Sequence, residues 1–280
     1  MSVALPLRLP RSNALVGHAR TEIAIAAIFY NEAEYLKEWI EFHLMVGVDR
    51  FYLYDNNSTD SFLSVIKPYI ARGKIVLLPW AAFLRDASAQ RLAYAHAACN
   101  CAPTVRWLVF IDIDEFLFSE TRDDIKPIFT KFGDYAALTI PRFEFGPNGH
   151  KEKPPGLVLE NYTRVGRRDL ESGSTQNSKA AIEPLLATEI GTHKCIVNGE
   201  TLVIEPLDSG RHQLRINHYF SKSESEFENK MRRGYSWKTQ RGKRSENILA
   251  KKFSLLKAIT DHDGDHYSMS HFVERLKARI

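Results

Sequence analysis

Between Glu22 and Glu115 short apolar runs alternate with helical patterns, and each apolar run stops at a polar cluster. Glu22–Ile28 (EIAIAAI) is continuous, apolar and partly β-branched, so it reads as a buried strand. Ala33–Val46 reads as a helix, with Leu36, Ile40, His43 and Gly47 at helical spacing. Asn31 offers its N-cap, and Gly47 stands where a C-terminal stop belongs. Arg50–Tyr54 is a second strand, closed by the turn Asp55-Asn56-Asn57-Ser58-Thr59-Asp60 and a further helix. Lys74–Leu78 is a third strand, Ala87–Ala98 an Ala-rich helix, and Arg106–Ile111 a fourth strand that runs into Asp112. This alternation predicts an α/β fold, a mostly parallel sheet of right-handed crossovers flanked by helices. Ligands bind such sheets at the carboxyl ends of the strands. Tyr30-Asn31-Glu32, Asp55–Asp60 and Asp112–Glu115 all fall there, so the site is located before any chemistry is invoked.

The alternation fades after Lys151. Lys151–Gly156 is rich in Pro and Lys, and Arg167–Lys179 is polar and rich in Gly and Ser, as long loops are. Helical signals return near the end. Ser223 and Glu226 form a capping box before Phe227, and Leu249, Phe253 and Leu256 mark an amphipathic helix.

Charge is unevenly spread. Ten Lys and Arg between Asn229 and Lys257 face Glu246 alone, a local charge of +9 in a chain of net +4, which leaves −5 for the rest. Such a segment suits an anion: a diphosphate, an acidic lipid surface or nucleic acid, or else it is a solvated helix face. Cys99, Cys101 and Cys195 are too few for a disulfide framework, and Cys99 and Cys101 are spaced too closely for a zinc knuckle. Prolines and arginines interrupt the first twenty residues, so no signal peptide is expected. No apolar run reaches the ~20 residues of a membrane span. Together these point to a reducing, cytoplasmic setting.

The densest chemical signal is Trp107–Phe116, WLVFIDIDEF. An apolar strand delivers Asp112 and Asp114, two apart and therefore expected on one side, with Glu115 beside them. Hard divalent cations such as Mn²⁺ or Mg²⁺ take one or two carboxylates plus substrate phosphates. Three acids where an apolar strand stops are a costly arrangement without a cationic partner.

At these residues the chain resembles glycosyltransferases of the GT-A fold, closest to family 92 and its bacterial relatives. The resemblance spans roughly Ile23 to Gly234. It is carried by FYNEAEYLKEWIEFHLMVGVDRFYLYDNNSTD (Phe29–Asp60), Gln90 in AQRLAYAHA, WLVFIDIDEF, FEFGPNGH (Phe143–His150), SKAAIEP (Ser178–Pro184), Thr192-His193 and NHYFSKSESEFENKMRRG (Asn217–Gly234). It implies that Asp112 and Asp114 form a DxD pair for a metal–diphosphate, with His218 completing the metal shell. It implies that Tyr30, Asn31, Glu32, Asp55, Asn56, Asn57 and Gln90 line the nucleotide pocket. Lys179, His150 and His193 would lie near phosphates or acceptor, and Lys222 would clamp the diphosphate, with Lys230, Arg232 and Arg233 added on charge alone. The implied organisation is an N-terminal arm (1–20), a catalytic domain (21–220, with a nucleotide half to 118 and an acceptor half beyond it), and a basic helical segment (221–280).

The implied reaction moves a sugar, galactose as first choice, from a nucleotide-diphosphate donor such as a UDP-sugar onto a glycan or glycolipid, with inversion. Inversion needs a general base near the acceptor hydroxyl. Glu144 is the first candidate, with Asp169, Glu171 and Glu189 behind it. The basic segment adds an expected peripheral contact with an anionic membrane, and no nucleic-acid partner is expected. Two other readings compete. A haloacid-dehalogenase-like phosphatase also places Asp-x-Asp after a strand, but Phe116 stands where that family has Thr or Val, and Asp261–Asp265 lies too late in the chain. A polyanion-binding module would use Tyr235, Trp237 and Phe253 among the basic residues, although the acidic cluster would repel its ligand.

Overall fold

The structure, a computed structural model, describes residues 7–8, 22–80, 87–165, 178–187, 189–191, 195–196, 202–203, 213–233, 250–251, 253–254, 257 and 265–280. Its centre is a nine-stranded mixed sheet. In chain order the strands are β1 (Leu7–Arg8), β2 (Glu22–Phe29), β3 (Arg50–Asp55), β4 (Ile75–Pro79), β5 (Val105–Phe110), β6 (Glu115–Phe118), β7 (Ala137–Glu144), β8 (Arg164–Val165), β9 (Ser178–Ile182), β10 (Glu189–Ile190), β11 (Cys195–Ile196), β12 (Leu202–Val203), β13 (Arg215–His218) and β14 (Asp265–His266). The helices are α1 (Ala33–Met45), α2 (Phe62–Ala71), α3 (Ala87–Cys101), α4 (Lys126–Lys131), α5 (Val158–Asn161), α6 (Glu224–Arg233) and α7 (Ser270–Lys277).

The sheet order is β4-β3-β2-β5-β9-β7-β13-β6, with β12 paired to β7. Strands β2 to β5 are parallel, as the alternation predicts, and β7 pairs in parallel with β13 and β12. Two departures lie in the second half. β9 inserts antiparallel between β5 and β7, and β6 runs antiparallel to β13. The segment ending at Lys179 is therefore strand from Ser178 onward, not loop.

Each face of β2 has its own packing. Ile23, Ile25 and Ala27 join Trp39, Ile40, Phe42, Phe51 and Leu53, with α7 supplying Phe272, Val273 and Leu276. Ala24 and Ala26 face Ala93, Tyr94 and Ala97 of α3. Small residues on both partners let the Ala-rich helix lie close against the sheet, where dispersion contacts are densest. The outer edge of β6, the side away from β13, is satisfied by side chains rather than by another strand. The Trp39 indole donates to the Glu115 carbonyl at 2.8 Å, and His43 Nε2 accepts from the Leu117 amide at 3.0 Å.

Helix α1 starts at Ala33 as expected, but Asn31 is not its cap. Asn31 adopts φ 55°, and its side-chain oxygen accepts from the Thr59 and Asp60 amides. Asp60 Oδ2 instead accepts from the Ala33 amide at 2.8 Å. The β3–α2 turn therefore caps α1 from across the sheet edge, which a local capping rule does not foresee. Gly47, at φ 107°, ends the helix as expected. The Ser223–Glu226 capping box is present, with the Ser223 amide 3.0 Å from Glu226 Oε2 and the Glu226 amide 3.3 Å from Ser223 Oγ. Among the described residues, no helix is long and apolar enough to cross a membrane. The arm at 1–6 and 9–20, and Leu249 and Leu256 of the amphipathic pattern, lie outside the described residues. Phe253 is described and stacks on Phe227 at 4.2 Å.

Candidate active site

Chain order places β3 and β4 on one side of β2 and β5 on the other, so the winding reverses between β2 and β5. Crevices at such reversals receive ligands. Tyr30-Asn31-Glu32 leaves β2 here, and Ile111–Asp114 leaves β5. A cavity of about 540 Å³ opens beside it, lined by Asn31, Glu32 and Tyr35 from the β2–α1 corner, by Asp60 and Ser61, by Phe220, Ser221 and Lys222 ahead of α6, and by Glu226, Asn229 and Lys230 on it.

Behind the cavity runs a chain of alternating charges drawn from five elements. Asp112 receives Gln90 Nε2 at 2.7 Å and Tyr94 Oη at 3.3 Å on one oxygen, and Lys179 Nζ at 2.7 Å on the other. Lys179, 0% exposed, also meets Glu115 at 3.0 Å. Arg142 bridges Glu115 at 2.8 Å and Glu144 at 3.1 Å. Glu144 Oε2 lies 3.0 Å from His218 Nδ1, a charge contact without hydrogen-bond alignment. His218 Nε2 lies 3.4 Å from Asp114 Oδ1, and Lys230 Nζ holds Asp114 Oδ2 at 2.6 Å. Each acid of this cluster thus has a cation, which is what makes the cluster tolerable inside a protein.

Burial opposes ionisation of Asp114, yet Lys230 and His218 outweigh it and hold the carboxyl well below the usual carboxylate range. Burial likewise opposes Glu115, and Lys179 and Arg142 bring it down to about 2. For His218, burial disfavours the cation, but Glu144 and then Asp114 raise its pKa above the ordinary imidazole value.

Asp112 and Asp114 do not share one side as strand alternation would give. β5 stops at Phe110, and the chain turns through Ile111–Asp114, with the Glu115 amide bonded to the Asp112 carbonyl at 3.1 Å. The two carboxylates therefore face different cations. Among the described residues no group of three His, Cys, Asp or Glu could by itself enclose a metal. Asp114 Oδ1 and His218 Nε2, 3.4 Å apart, are spaced as two neighbouring ligands of one ion would be. A two-ligand protein site fits a cation whose shell is completed by substrate phosphates.

A profile described as glycosyltransferase family 92 matches residues 20–256. The chain belongs to glycosyltransferase family 92. A family 92 protein of Ricinus communis is 34% identical over 156 residues, covering 53% of this chain and 27% of that protein. One of Oryza sativa subsp. japonica is 31% identical over 168 residues, covering 58% and 28%. The galactan beta-1,4-galactosyltransferase GALS2 of Arabidopsis thaliana is 22% identical over 174 residues, covering 56% and 32%. The aligned part therefore spans about a quarter to a third of these curated relatives. Among solved structures, Staphylococcus aureus TarS 1–349 in complex with UDP-GlcNAc is 13% identical at a TM-score of 0.43, covering 86% of this chain and 74% of that one. Likeness this loose adds nothing to the geometry above.

Family 92 membership leaves the phosphatase and polyanion-binding readings without support. The structure gathers Gln90, Asp112, Lys179, Asp114 and His218 into one charge chain, and puts Asn31, Glu32 and Lys222 on the cavity wall. Asp55 spends a carboxylate oxygen on the Ser58 amide, Asn57 is exposed at φ 61°, and Asn56 Oδ1 is buried without a partner among the described residues. His150 stacks edge-on to Tyr162, and its carbonyl accepts the Glu224 amide at 3.0 Å, so it seats α6. His193, Asp169, Glu171 and the side chains of Glu189 and Arg233 lie outside the described residues. Arg232 is exposed and bonded to Asn229. Glu144 is 4% exposed and engaged by Arg142 and His218. Arg142 and Tyr35 are site residues that sequence reasoning missed. The alternation Arg142-x-Glu144 on β7, two charges on one face of an otherwise apolar strand, was the available signal for the first.

Proposed function

We propose that this family 92 chain is a metal-dependent glycosyltransferase that moves a sugar from a nucleotide-diphosphate sugar to a carbohydrate acceptor. The observation that carries this is the Asp112/Asp114 turn at the β2–β5 reversal, backed by buried cations and opening beside a cavity with two lysines on its wall. Lys222 is 7% exposed and held at φ 50°, with its ammonium 3.8 Å from the Tyr35 ring centroid. A left-handed lysine is a strained conformation that a bound anion would justify, and a diphosphate is the anion this reading requires.

Asp114 and His218 are the residues that would hold a divalent ion, with Asp112 alongside. When bound, Mn²⁺ or Mg²⁺ supplies Lewis-acid stabilisation of the departing diphosphate. Lys222 and Lys230 would bind the phosphoryl oxygens with charge-assisted hydrogen bonds. In an inverting transfer the bond from the anomeric carbon to the diphosphate breaks as the acceptor oxygen bonds to that carbon, and the hydroxyl proton passes to a base. Its burial and its contact with His218 make Glu144 the group that orients His218 rather than that base. Galactose is the first donor sugar to try, because of the distant likeness to a galactan galactosyltransferase. A peripheral contact of 229–257 with anionic lipid at a cytoplasmic membrane face is a separate part of the proposal, tested by liposome flotation at low salt.

The central test is calorimetric titration of nucleoside diphosphates and their sugars, with and without Mn²⁺, into the wild type and Asp114→Ala. Micromolar, Mn²⁺-dependent binding of one nucleotide that vanishes in the variant supports the donor site and identifies the donor's nucleobase. No nucleotide binding with any metal removes the proposal.

A further inference from the structure

Lys230 lines the cavity, and Asp114 does not. The ammonium lies between the two, 2.6 Å from Asp114 Oδ2, 3.2 Å from the Phe220 carbonyl and 4.4 Å from the Phe220 ring centroid. Its position is fixed from the other end of α6. Glu226, one turn earlier on the same face, accepts from the Tyr35 hydroxyl, from the Tyr162 hydroxyl at 2.7 Å and from the Ser223 amide at 3.0 Å. The α6 backbone is thereby tied to α1 and to the segment after α5. The four-carbon stem of Lys230 is long enough to turn the ammonium from Asp114 into the cavity while the helix stays in place.

This arrangement sets two occupants against each other. A divalent ion on Asp114 Oδ1 and His218 Nε2 would sit beside the Lys230 ammonium, and like charges at that range repel. A diphosphate in the cavity would attract the same ammonium away from Asp114. We propose that Lys230 is an exchangeable counter-ion, paired with Asp114 while the cavity is empty and with the diphosphate when the donor is bound. Through this exchange nucleotide binding opens Asp114 to the metal, and metal binding releases Lys230 for the nucleotide. The coupling is reciprocal because it is one free energy shared between two sites. The inference rests on the donor-site reading above but assigns Lys230 a role that the reading does not require.

The test measures Mn²⁺ binding itself, by electron paramagnetic resonance of free Mn²⁺, on wild type, Lys230→Gln and Lys230→Arg, each with and without UDP. In the wild type, Mn²⁺ alone binds weakly, and UDP tightens it by about tenfold, within the usual span of coupling between sites. Lys230→Gln binds Mn²⁺ alone about fivefold more tightly than wild type, and UDP then adds about twofold or less. Lys230→Arg, which keeps the charge, retains most of the wild-type coupling and shows that α6 is still seated. Mn²⁺ affinity in Lys230→Gln that equals the wild type's, or coupling as large as the wild type's, overturns the exchange while leaving the donor site standing, because phosphate ligation of the metal by itself accounts only for the residual coupling. A wild type that binds neither Mn²⁺ nor any nucleoside diphosphate overturns the donor site and the exchange together.

Discussion

Lys179 reaches both Asp112, at 2.7 Å, and Glu115, at 3.0 Å, from a fully buried position on β9. Among the described residues, β9 is the one central strand that runs antiparallel to both its neighbours, and it carries the cation that the acidic turn needs. Lys179→Met would leave Glu115 with Arg142 and His218 but without its nearest ammonium. Breaking a buried pair from one side costs about 3 kcal/mol. Urea unfolding should show a loss of that size, together with weakened nucleotide binding. A variant as stable as wild type would mean that Lys179 is not the counter-charge it is taken to be.

Glu144 tests the line between orienting and accepting a proton. Outer-shell partners of a metal-ligating histidine typically contribute about 10–100-fold in metal affinity or activity. Glu144→Gln should therefore lower both Mn²⁺ affinity and turnover within that range. A variant with unchanged Mn²⁺ affinity and a collapsed kcat would instead make Glu144 the base.

Two buried groups on α1 respond to acid in opposite directions. His43 donates from Nδ1 to the Trp39 carbonyl and accepts at Nε2, so it is held neutral, and burial drives its pKa from 6.5 to about 3. The unfolded chain takes up that proton first, so stability contributed by His43 falls as pH drops below 6.5. Burial raises Glu38 from 4.5 to about 6, even though its oxygens accept from the Val158 and Leu159 amides. The folded chain takes up this proton first, so stability from Glu38 falls as pH rises through 4.5 to 6. From pH 7 to pH 5 the His43 contribution drops by about 2 kcal/mol and the Glu38 contribution gains about 1 kcal/mol. Unfolding measured at both pH values should show Glu38→Gln losing more stability on acidification than wild type, and His43→Gln losing less. Parallel behaviour of all three proteins would contradict the assignment.

Gly47 stands at φ 107°, and a β-carbon there would collide with Asp124 Oδ1, which accepts the Lys126 amide. Gly47→Ala combines backbone strain with a clash and should cost about 2 kcal/mol. Adding Asp124→Ala should recover only part of it in thermal unfolding, because the dihedral penalty remains. Full recovery would assign the whole cost to the clash.

The first half of the sheet was legible because its central strands β2, β3 and β5 are buried on both faces. Apolar runs such as Glu22–Phe29 stop where the sheet stops, and helix ends differed from expectation by at most three residues at Ala98 and Cys101. β9 was not legible, since Ser-Lys-Ala-Ala-Ile follows a polar stretch and becomes strand only through β5 and β7. The same distance in sequence hid the pairing of the counter-charges, although Lys179, His218 and Lys230 were named as candidates for other roles. Asp112 and Asp114 announce themselves in one decapeptide, whereas Lys179, Arg142, His218 and Lys230 come from β9, β7, β13 and α6. Asn31 misled for a related reason, as its local capping pattern yields to a turn 28 residues away.

Because β9 hydrogen-bonds to β5 on one edge and β7 on the other, the regions on either side of residue 118 share one uninterrupted backbone ladder. They are not modules that can be recombined. A chimera that exchanged everything after β6 between relatives would cut through paired strands and strand the Asp112 turn from its lysine. Exchange between relatives is better confined to the segments between strands, such as 146–163, on an intact sheet.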